Sequence, residues 1–301
     1  MLLCGYKEKS RVKTKMVKLY EKDIKTKQVK EWKGVHLFHF TSSSCSQKTR
    51  IVLNLKGIDW VSHPINLLKA ENYNKWYLGI NPRGLVPTLV HDGDVHIESN
   101  DIVRYLDDCF ETPKLIPSDQ SAAVLEQLKA EDNLHMDLRT LTFGFSLPKF
   151  LAGKPPEALA TLDANEGTVK GKKDSHKQVQ LAFWQNLAKH GITPEQATQS
   201  AERFKSEFSK LETQLADQNF LIGDELSIVD IAWFIYAHRL KSTGYPFKRL
   251  HPNLDAWYHS LLSRPEIAKE VADPAPLKVI RFLTQKYQAL THTTLEKVTG
   301  I

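Results

Sequence analysis

The sequence has little of what would place it in several large protein classes. Its 301 residues include three cysteines, Cys4, Cys45 and Cys109, with no Cys-x-x-Cys pair and no spacing typical of metal ligands. This argues against a disulfide scaffold and against a metal site, and it favours a reducing compartment. No apolar run approaches the ~20 residues needed to cross a bilayer, because the best candidate, 228–237, is interrupted by Asp230. We expect no membrane span.

Strong charge of one sign is missing from most of the chain. Residues 1–34 hold eleven Lys or Arg and four Asp or Glu, so a net charge of +6 leaves −1 for residues 35–301. The near-neutral body also lacks a stripe of interleaved arginine and aromatic residues, so nucleic-acid binding is not expected. The basic extension has no apolar signal core and its acidic residues argue against a transit peptide, which predicts a cytoplasmic protein. Within it, residues 16–20 fit either a short strand or a solvated arm.

The segment 35–57, VHLFHFTSSSCSQKTRIVLNLKG, predicts a strand, a polar turn and a helix. Large apolar residues alternate with histidine over 35–40, and apolar residues recur at helical spacing from Ile51 to Leu55 before Gly57. Chemistry is therefore expected in the turn, where the chain changes direction at the start of a helix.

We call this turn, residues 41–47, the elbow. Ser44 and Gln47 fit a capping box that satisfies free N–H groups at the helix start. Ser43 and Cys45 then remain unassigned at a helix N-terminus, where free amides and the helix dipole favour an anion. A thiol with an ordinary pKa of roughly 8.5 would shift toward thiolate there, whether it belonged to Cys45 or to a bound ligand. Plain helix capping explains the same serines equally well.

Two further signals lie downstream of the elbow. Residues 60–65 predict a second strand, and 81–90 predict a turn and a third strand, with 92–94 as a hairpin turn into a fourth strand. Glu98 and Ser99 then precede another amphipathic helix, with Ser99 as its expected N-cap and Glu98 as a favourable acid near the dipole.

The residues of this half resemble a known family. SSCS at 43–46, the RI and LKGI that follow, and PINL at 64–67 resemble the thioredoxin-like half of soluble glutathione transferases, the zeta class in particular. The resemblance is strong over 35–117 and looser over 118–273. It implies an α/β thioredoxin-like N-terminal domain followed by an all-α C-terminal domain, the glutathione transferase fold.

The expected domain boundaries follow from this resemblance. The basic extension covers 1–34, the glutathione-binding domain 35–113, and the helical domain 118–301. The Pro-, Gly- and Lys-rich stretch 146–176 predicts a mobile insertion with one short helix at 156–162. The insertion departs from the zeta class and resembles the longer second domain of bacterial lignin β-etherases.

Helix signals are clearest late in the chain. Thr193, followed by Pro194 and Gln196, is a strong start signal for a long amphipathic helix. Ser227–Asp230 resembles the capping element of the family's central buried helix, for which we expect a structural role. Residues 277–289 predict an additional terminal helix that the family does not require.

The resemblance also implies a ligand and its contacts. Proline removes a ladder donor, so Pro87 before an apolar strand is unusual, and the family explains it by a cis-proline. Val86 is then expected to pair with the cysteinyl backbone of glutathione, while Glu98 and Ser99 hold the γ-glutamyl end. The predicted glutathione-binding residues are Ser44, Gln47, Val86, Pro87, Glu98 and Ser99.

Three elbow residues are candidates for the chemistry on a bound thiol. The zeta resemblance points to Ser43 as the hydrogen-bond donor to the glutathione thiolate, which is our first choice. Comparison with the β-etherases instead favours Ser46 in this role. Cys45 would instead support a thiol reductase that uses glutathione to resolve a mixed disulfide.

The predicted function is that of a glutathione transferase whose thiolate attacks a small, aromatic electrophile, with β-aryl ether cleavage as one form. A maleylacetoacetate-isomerase-like activity is an alternative, weakened by the insertion and by QKTR at 47–50, which departs from the zeta pattern. A non-enzymatic glutathione-fold module is another, although its relatives carry a C-terminal membrane helix. The electrophile pocket is expected near His135, Phe143, Phe145 and Trp233, which core packing would also explain. The resemblance further implies a homodimer.

Overall fold

The computed structural model describes residues 16–148 and 151–301, which excludes Cys4 and the start of the extension. The first domain follows the order β1 (Val35–His39), α1 (Ser44–Leu55), β2 (Val61–Pro64), α2 (Lys75–Leu78), β3 (Thr88–His91), β4 (Asp94–Ile97) and α3 (Ser99–Cys109). The strands form one sheet in the order β2-β1-β3-β4, in which only β1 and β2 run parallel. This is the predicted thioredoxin-like arrangement.

The predicted hairpin turn connects β3 and β4. Asp92 and Gly93 have φ angles of 49° and 81°, the left-handed conformation that such two-residue turns require. A Cβ at Gly93 would lie 2.3 Å from the carbonyl oxygen of Lys30, so this position also needs glycine for close approach. The hairpin is therefore packed against the N-terminal extension.

The second domain is helical, as predicted, with one isolated bridge between Val169 and Lys172 among its described residues. Its helices are α4 (Ser121–Asn133), α5 (His135–Phe145), α6 (Pro156–Asp163), α7 (His176–His190), α8 (Pro194–Gln214), α9 (Ile228–Lys241), α10 (Phe247–Leu250), α11 (Pro252–Leu262), α12 (Pro265–Val271), α13 (Ala275–Leu290) and α14 (Leu295–Thr299). Helix α9 lies at the centre, and its residues 228–237 are all buried. The terminal helix predicted at 277–289 is α13. No helix in the described part of the chain has the length and apolar character needed to cross a membrane.

Both predicted capping elements of this domain are present. Thr193 accepts a hydrogen bond from the Gln196 N–H, and the Gln196 side chain accepts one from the Thr193 N–H. At the start of α9, Asp230 accepts from Ser227 N–H at 3.0 Å and from Leu221 N–H at 2.8 Å. Since Asp230 is fully buried, these bonds fix the entry of the central helix into the core.

The extension is not a solvated arm over its described residues. Lys18 forms an antiparallel bridge with His96 at the edge of β4, so the strand interpretation is correct at this point, although the bridge is isolated. Leu19, Ile24 and Val29 are buried in the core of the first domain. The alternation of lysine and apolar residues therefore marks a segment with one face against the sheet.

The insertion 146–176 packs against the first domain rather than standing apart from it. Its predicted short helix is α6. The buried Asp23 of the extension accepts hydrogen bonds from Thr168 Oγ1 at 2.5 Å and from Gly171 N–H at 2.9 Å. Asn165 donates to the Pro82 carbonyl at 2.9 Å. The extension and the insertion thus form one hydrogen-bonded unit.

We expect acid to lower the stability of the edge of the sheet at β4, where Lys18 of the extension bridges to His96. His96 is buried and stacks on Tyr105, and burial, assisted by Lys18, lowers its pKa to about 3. In the unfolded chain the same imidazole titrates near 6.5, so protons bind the unfolded state first as pH falls. From pH 7.5 to pH 5, His96 should remove about 2 kcal/mol from the free energy of unfolding.

Denaturant titrations of the wild-type protein and of His96→Phe at the two pH values test this. The variant keeps a ring at this position but has no group to protonate. It should lose less stability on acidification than the wild-type protein. An identical loss in both proteins would show that His96 does not titrate differently on folding.

Candidate functional site

The elbow begins helix α1, but one residue earlier than predicted. Ser43, not Ser44, is the N-cap, and its hydroxyl accepts a hydrogen bond from the Ser46 N–H at 3.3 Å. The predicted capping box of Ser44 and Gln47 is therefore wrong. The Ser44 hydroxyl instead accepts from Arg239 Nε at 3.0 Å, and the Gln47 amide donates to the Glu270 carbonyl at 3.1 Å.

The carbonyl groups that precede α1 are held by two buried arginines. Arg50 donates to the carbonyls of Phe40 and Thr41 at 3.2 and 3.0 Å, and Arg239 donates to the carbonyl of Ser42. Arg50 is itself paired with Glu270 of α12 at 2.5 Å. Because Arg239 and Glu270 belong to the helical domain, the elbow's shape depends on both domains.

Cys45 connects the elbow to the start of α3. Its thiol is hydrogen-bonded with Ser99, the first residue of that helix. Burial raises the pKa of Cys45, although nearby Lys48 and the Ser99 bond oppose this. The prediction that Cys45 is shifted toward thiolate is therefore wrong for its own thiol. The N–H groups of Ser44 and Cys45 have no acceptor among the described residues, so α1 still presents free amides here.

A buried polar network lies beneath these two helix starts. Lys48 donates to Glu131 of α4 at 2.8 Å and to the Asn100 side chain at 2.6 Å. Asn100 in turn donates to Glu131 at 2.9 Å. The Lys48 and Glu131 side chains are 2% and 0% exposed, so neither charge has solvent as an alternative partner. The network joins α1, α3 and α4 and thereby both domains.

The peptide bond between Val86 and Pro87 is cis, as predicted. Neither the N–H nor the C=O of Val86 is hydrogen-bonded to any other described residue. This unsatisfied backbone pair lies just before the inner strand β3, where it is free to pair with a peptide in extended conformation.

Glu98 is the N-cap of α3, with φ of 69°, so the prediction of Ser99 as N-cap is wrong by one residue. A left-handed conformation at a non-glycine residue is costly and is concentrated at functional sites. It leaves the N–H groups of Ser99 and Asn100 without acceptors in the described chain. Glu98 Oε1 accepts from Arg83 at 2.6 Å, while Oε2 has no hydrogen-bond donor in that part of the chain.

Arg83 ties this helix start to the insertion. Besides Glu98, it pairs with Asp174 at 2.5 Å. Burial works against the charged form, but the two carboxylates outweigh it and raise the pKa of Arg83. A cavity of about 210 Å³ lies beside this arginine, bordered by Pro82 and Asn165 among others. A larger cavity of about 530 Å³, beside α10, contains none of the predicted site residues.

The remaining predicted site residues, Ser46 and the four expected to line the electrophile pocket, do not form one group. Ser46 is fully buried and its hydroxyl accepts from the Phe40 N–H at 3.3 Å. Phe145 and Trp233 belong to the hydrophobic core, and the His135 ring bonds Tyr236 Oη at 3.1 Å. Phe143 instead packs against two further rings of α7.

Two domain families match the sequence. The family described as Glutathione S-transferase, N-terminal domain, matches residues 42–109, and the corresponding C-terminal domain family matches residues 194–260. The first match covers the elbow, Val86 and the start of α3. The chain belongs to the glutathione transferase superfamily.

Individual relatives in the superfamily fall into two groups. Glutathione S-transferase Z2 of Arabidopsis thaliana is 48% identical over 84 residues, which is 28% of this chain and only 37% of that protein. Maleylacetoacetate isomerase of Mus musculus is 32% identical over 145 residues, 39% of this chain and 67% of that protein. Protein LigF of Sphingobium sp. strain SYK-6 is 28% identical over 241 residues, 77% of this chain and 90% of that protein.

The crystal structure of the β-etherase LigF superposes with a TM-score of 0.68 at 26% identity, covering 79% of this chain and 98% of that one. The likeness to Glutathione S-transferase Z2 thus covers 28% of this chain, whereas the likeness to LigF is long enough to include both domains.

Several residues that shape this transferase site were not predicted from the sequence. They are Arg83, Asp174, Lys48, Glu131 and Arg239. All act across long separations in the chain, so no local spacing identifies them. The one available signal was the departure of QKTR at 47–50 from the zeta pattern, since three of those four residues contact the second domain.

Proposed function

We propose that the protein is an enzyme that binds glutathione and activates its thiolate for attack on an electrophile. The observation that carries this is the meeting of two helix starts at Cys45 and Ser99, together with the unpaired backbone of Val86 in the same domain. Two neighbouring sets of free amides favour two negative charges, a carboxylate and a thiolate, on one ligand. Glutathione carries both.

The γ-glutamyl and cysteinyl parts of the ligand each have a counterpart in the site. The amides of Ser99 and Asn100 suit the γ-glutamyl carboxylate, and Glu98 Oε2 suits its ammonium. The Val86 backbone suits the cysteinyl peptide. The amides at the start of α1 and the hydroxyl of Ser43 would stabilise the thiolate and lower its pKa.

Glu98→Gln should weaken glutathione binding about ten- to hundredfold, the effect of losing one charge-assisted hydrogen bond. Calorimetry measures this directly on the wild-type protein and the variant. Glu111→Gln, an exposed acid just beyond α3, is the matched control and should bind like the wild-type protein. A wild-type protein that binds no glutathione at millimolar concentration would remove the proposal.

We further propose that the electrophile is aromatic and that the reaction is cleavage of a β-aryl ether. The glutathione sulfur forms a bond to the carbon that bears the aryloxy group, the C–O bond breaks, and its electron pair leaves with the phenolate. The two-domain likeness to LigF supports this over isomerisation. A panel of an aryl-ether dimer, maleylacetone, a chloronitrobenzene and a mixed disulfide, each with glutathione, tests it. Turnover of maleylacetone or the disulfide alone would overturn the ether assignment.

A homodimer in the cytoplasm is the proposed setting. In the family, the first domain of one subunit usually meets the helical domain of the other, which buries apolar surface that each domain alone leaves exposed. Light scattering at micromolar concentration should give twice the mass of one 34.4 kDa chain.

A further inference from the structure

Two neighbouring basic side chains of the helical domain, Arg139 and Lys154, are among those without a carboxylate partner in the described part of the chain. Arg139 of α5 donates to the Gln180 side chain at 2.7 Å, and Lys154, just before α6, donates to the Leu67 carbonyl. Both are half-buried, and burial lowers the pKa of Arg139 to about 10 and that of Lys154 to about 8. Charges withdrawn from water are normally paired, so this pair of cations indicates an anion from outside the chain.

The two cations share an aromatic surface. The Arg139 guanidinium lies 4.0 Å from the centroid of the Phe183 ring and 5.0 Å from that of Trp184. Lys154 Nζ lies 5.2 Å from the ring centroid of Trp184, which belongs to α7 like Phe183. Phe143 packs edge-on against Trp184, with centroids 5.1 Å apart, and both phenylalanines are half-buried. Rings that are partly accessible beside cations suit a ligand that is both aromatic and anionic.

This surface contacts the first domain. Trp184 Nε1 donates to Tyr73 Oη of the first domain at 3.1 Å, so the aromatic cluster lies at the junction of the two domains. Negative charge on Cys45 would raise the pKa of Arg139 against the larger effect of burial, so the two side chains are electrostatically coupled. The guanidinium is thus within electrostatic reach of the elbow.

We propose that Arg139 and Lys154 bind a carboxylate carried by the aromatic electrophile, whose ring packs against Phe143 and Phe183. This rests on the proposed function for its reaction, but not for its binding. Glutathione also carries a glycyl carboxylate, which the same cations would accept. The substrate is favoured because the half-buried rings beside the cations match an aryl group, which glutathione does not have.

Binding without glutathione gives the first test. Calorimetry compares 3-phenylpropionate with its uncharged amide, 3-phenylpropionamide. The wild-type protein should prefer the acid, and Arg139→Gln should weaken acid binding about ten- to hundredfold while leaving the amide nearly unchanged. Lys154→Gln should act in the same direction, which guards against a folding defect in one variant. Lys189→Gln, exposed on α7, is the control.

Kinetics then separates the two sources of carboxylate. With an aryl ether that bears a carboxylate and with its amide counterpart, Arg139→Gln should raise KM about tenfold or more for the acid only. The KM for glutathione should not change. Equal binding of 3-phenylpropionate and its amide by the wild-type protein overturns the proposal. So does a rise in KM for glutathione alone, which would assign the cations to the glycyl carboxylate. Failure of the proposed function would abolish turnover but would leave the calorimetric preference intact.

Discussion

Lys48→Met is expected to lower the free energy of unfolding by about 3–5 kcal/mol. The Glu131 carboxylate would lose its only cationic partner among the described residues while remaining 0% exposed, with the neutral groups of Asn100 and Tyr236 as its remaining donors. A buried carboxylate without compensation costs far more than the ion pair itself contributes. Denaturant titration followed by circular dichroism measures the difference.

Two further variants make this result specific. Lys48→Met combined with Glu131→Leu should recover most of the loss, because a pair of apolar side chains leaves no buried charge. Lys210→Met, which removes an exposed partner of Glu207 on α8, should have little effect. If Lys48→Met costs no more than Lys210→Met, the buried pair does not join the domains as the structure indicates.

Ser43→Ala is expected to lower turnover about ten- to a few hundredfold. The Ser43 hydroxyl oxygen accepts from the Ser46 N–H, which leaves its proton available to donate to a bound sulfur. Losing that donor raises the pKa of the glutathione thiol, so the pH profile of kcat/KM should move to higher pH. Glutathione affinity should change much less, because Glu98 and Val86 would hold the rest of the ligand.

The same substitution removes a helix cap, so a matched cap is needed as control. Thr193 caps α8 through the same contact, from the Gln196 N–H at 3.3 Å, and lies outside the site. Thr193→Ala should cost about 1 kcal/mol of stability, as Ser43→Ala does, with no loss of turnover. Thermal melts and steady-state rates distinguish the two effects.

The variant Cys45→Ser tests whether the elbow uses covalent cysteine chemistry instead of a serine hydroxyl. Cys45→Ser should leave ether cleavage nearly intact yet abolish any mixed-disulfide reduction, because a hydroxyl cannot form that intermediate. Full activity of Ser43→Ala combined with loss in Cys45→Ser or Ser46→Ala would show that the activating residue was assigned wrongly.

The sequence was sufficient where local rules operate. The capping elements at Thr193 and Ser227, the hairpin at 92–94 and the helical insert α6 follow from residue types within a few positions of each other. The resemblance of the elbow and of Val86–Pro87 to glutathione transferases then predicted the fold as a whole. Such features require no knowledge of what the segment will contact.

The sequence was ambiguous where neighbours are equivalent or distant. Three consecutive serines all suit an N-cap, and only the structure shows that the Ser46 N–H donates to the hydroxyl of Ser43. The residues Lys48 and Glu131 are separated by 83 positions, and no period or motif connects them. The extension was ambiguous for a related reason, since a half-buried lysine-rich segment and a solvated one have the same alternation.

The position of the extension bears on where the folded unit starts. A truncated protein that began at residue 35, the family boundary, would strip Leu19, Ile24 and Val29 from a shared core and uncover Phe38 on the sheet. It would also remove Asp23, the acceptor that holds the insertion's turn. The smallest stable piece of this chain therefore includes residues that its family resemblance does not cover, and expression of the matched region alone should yield an aggregation-prone protein.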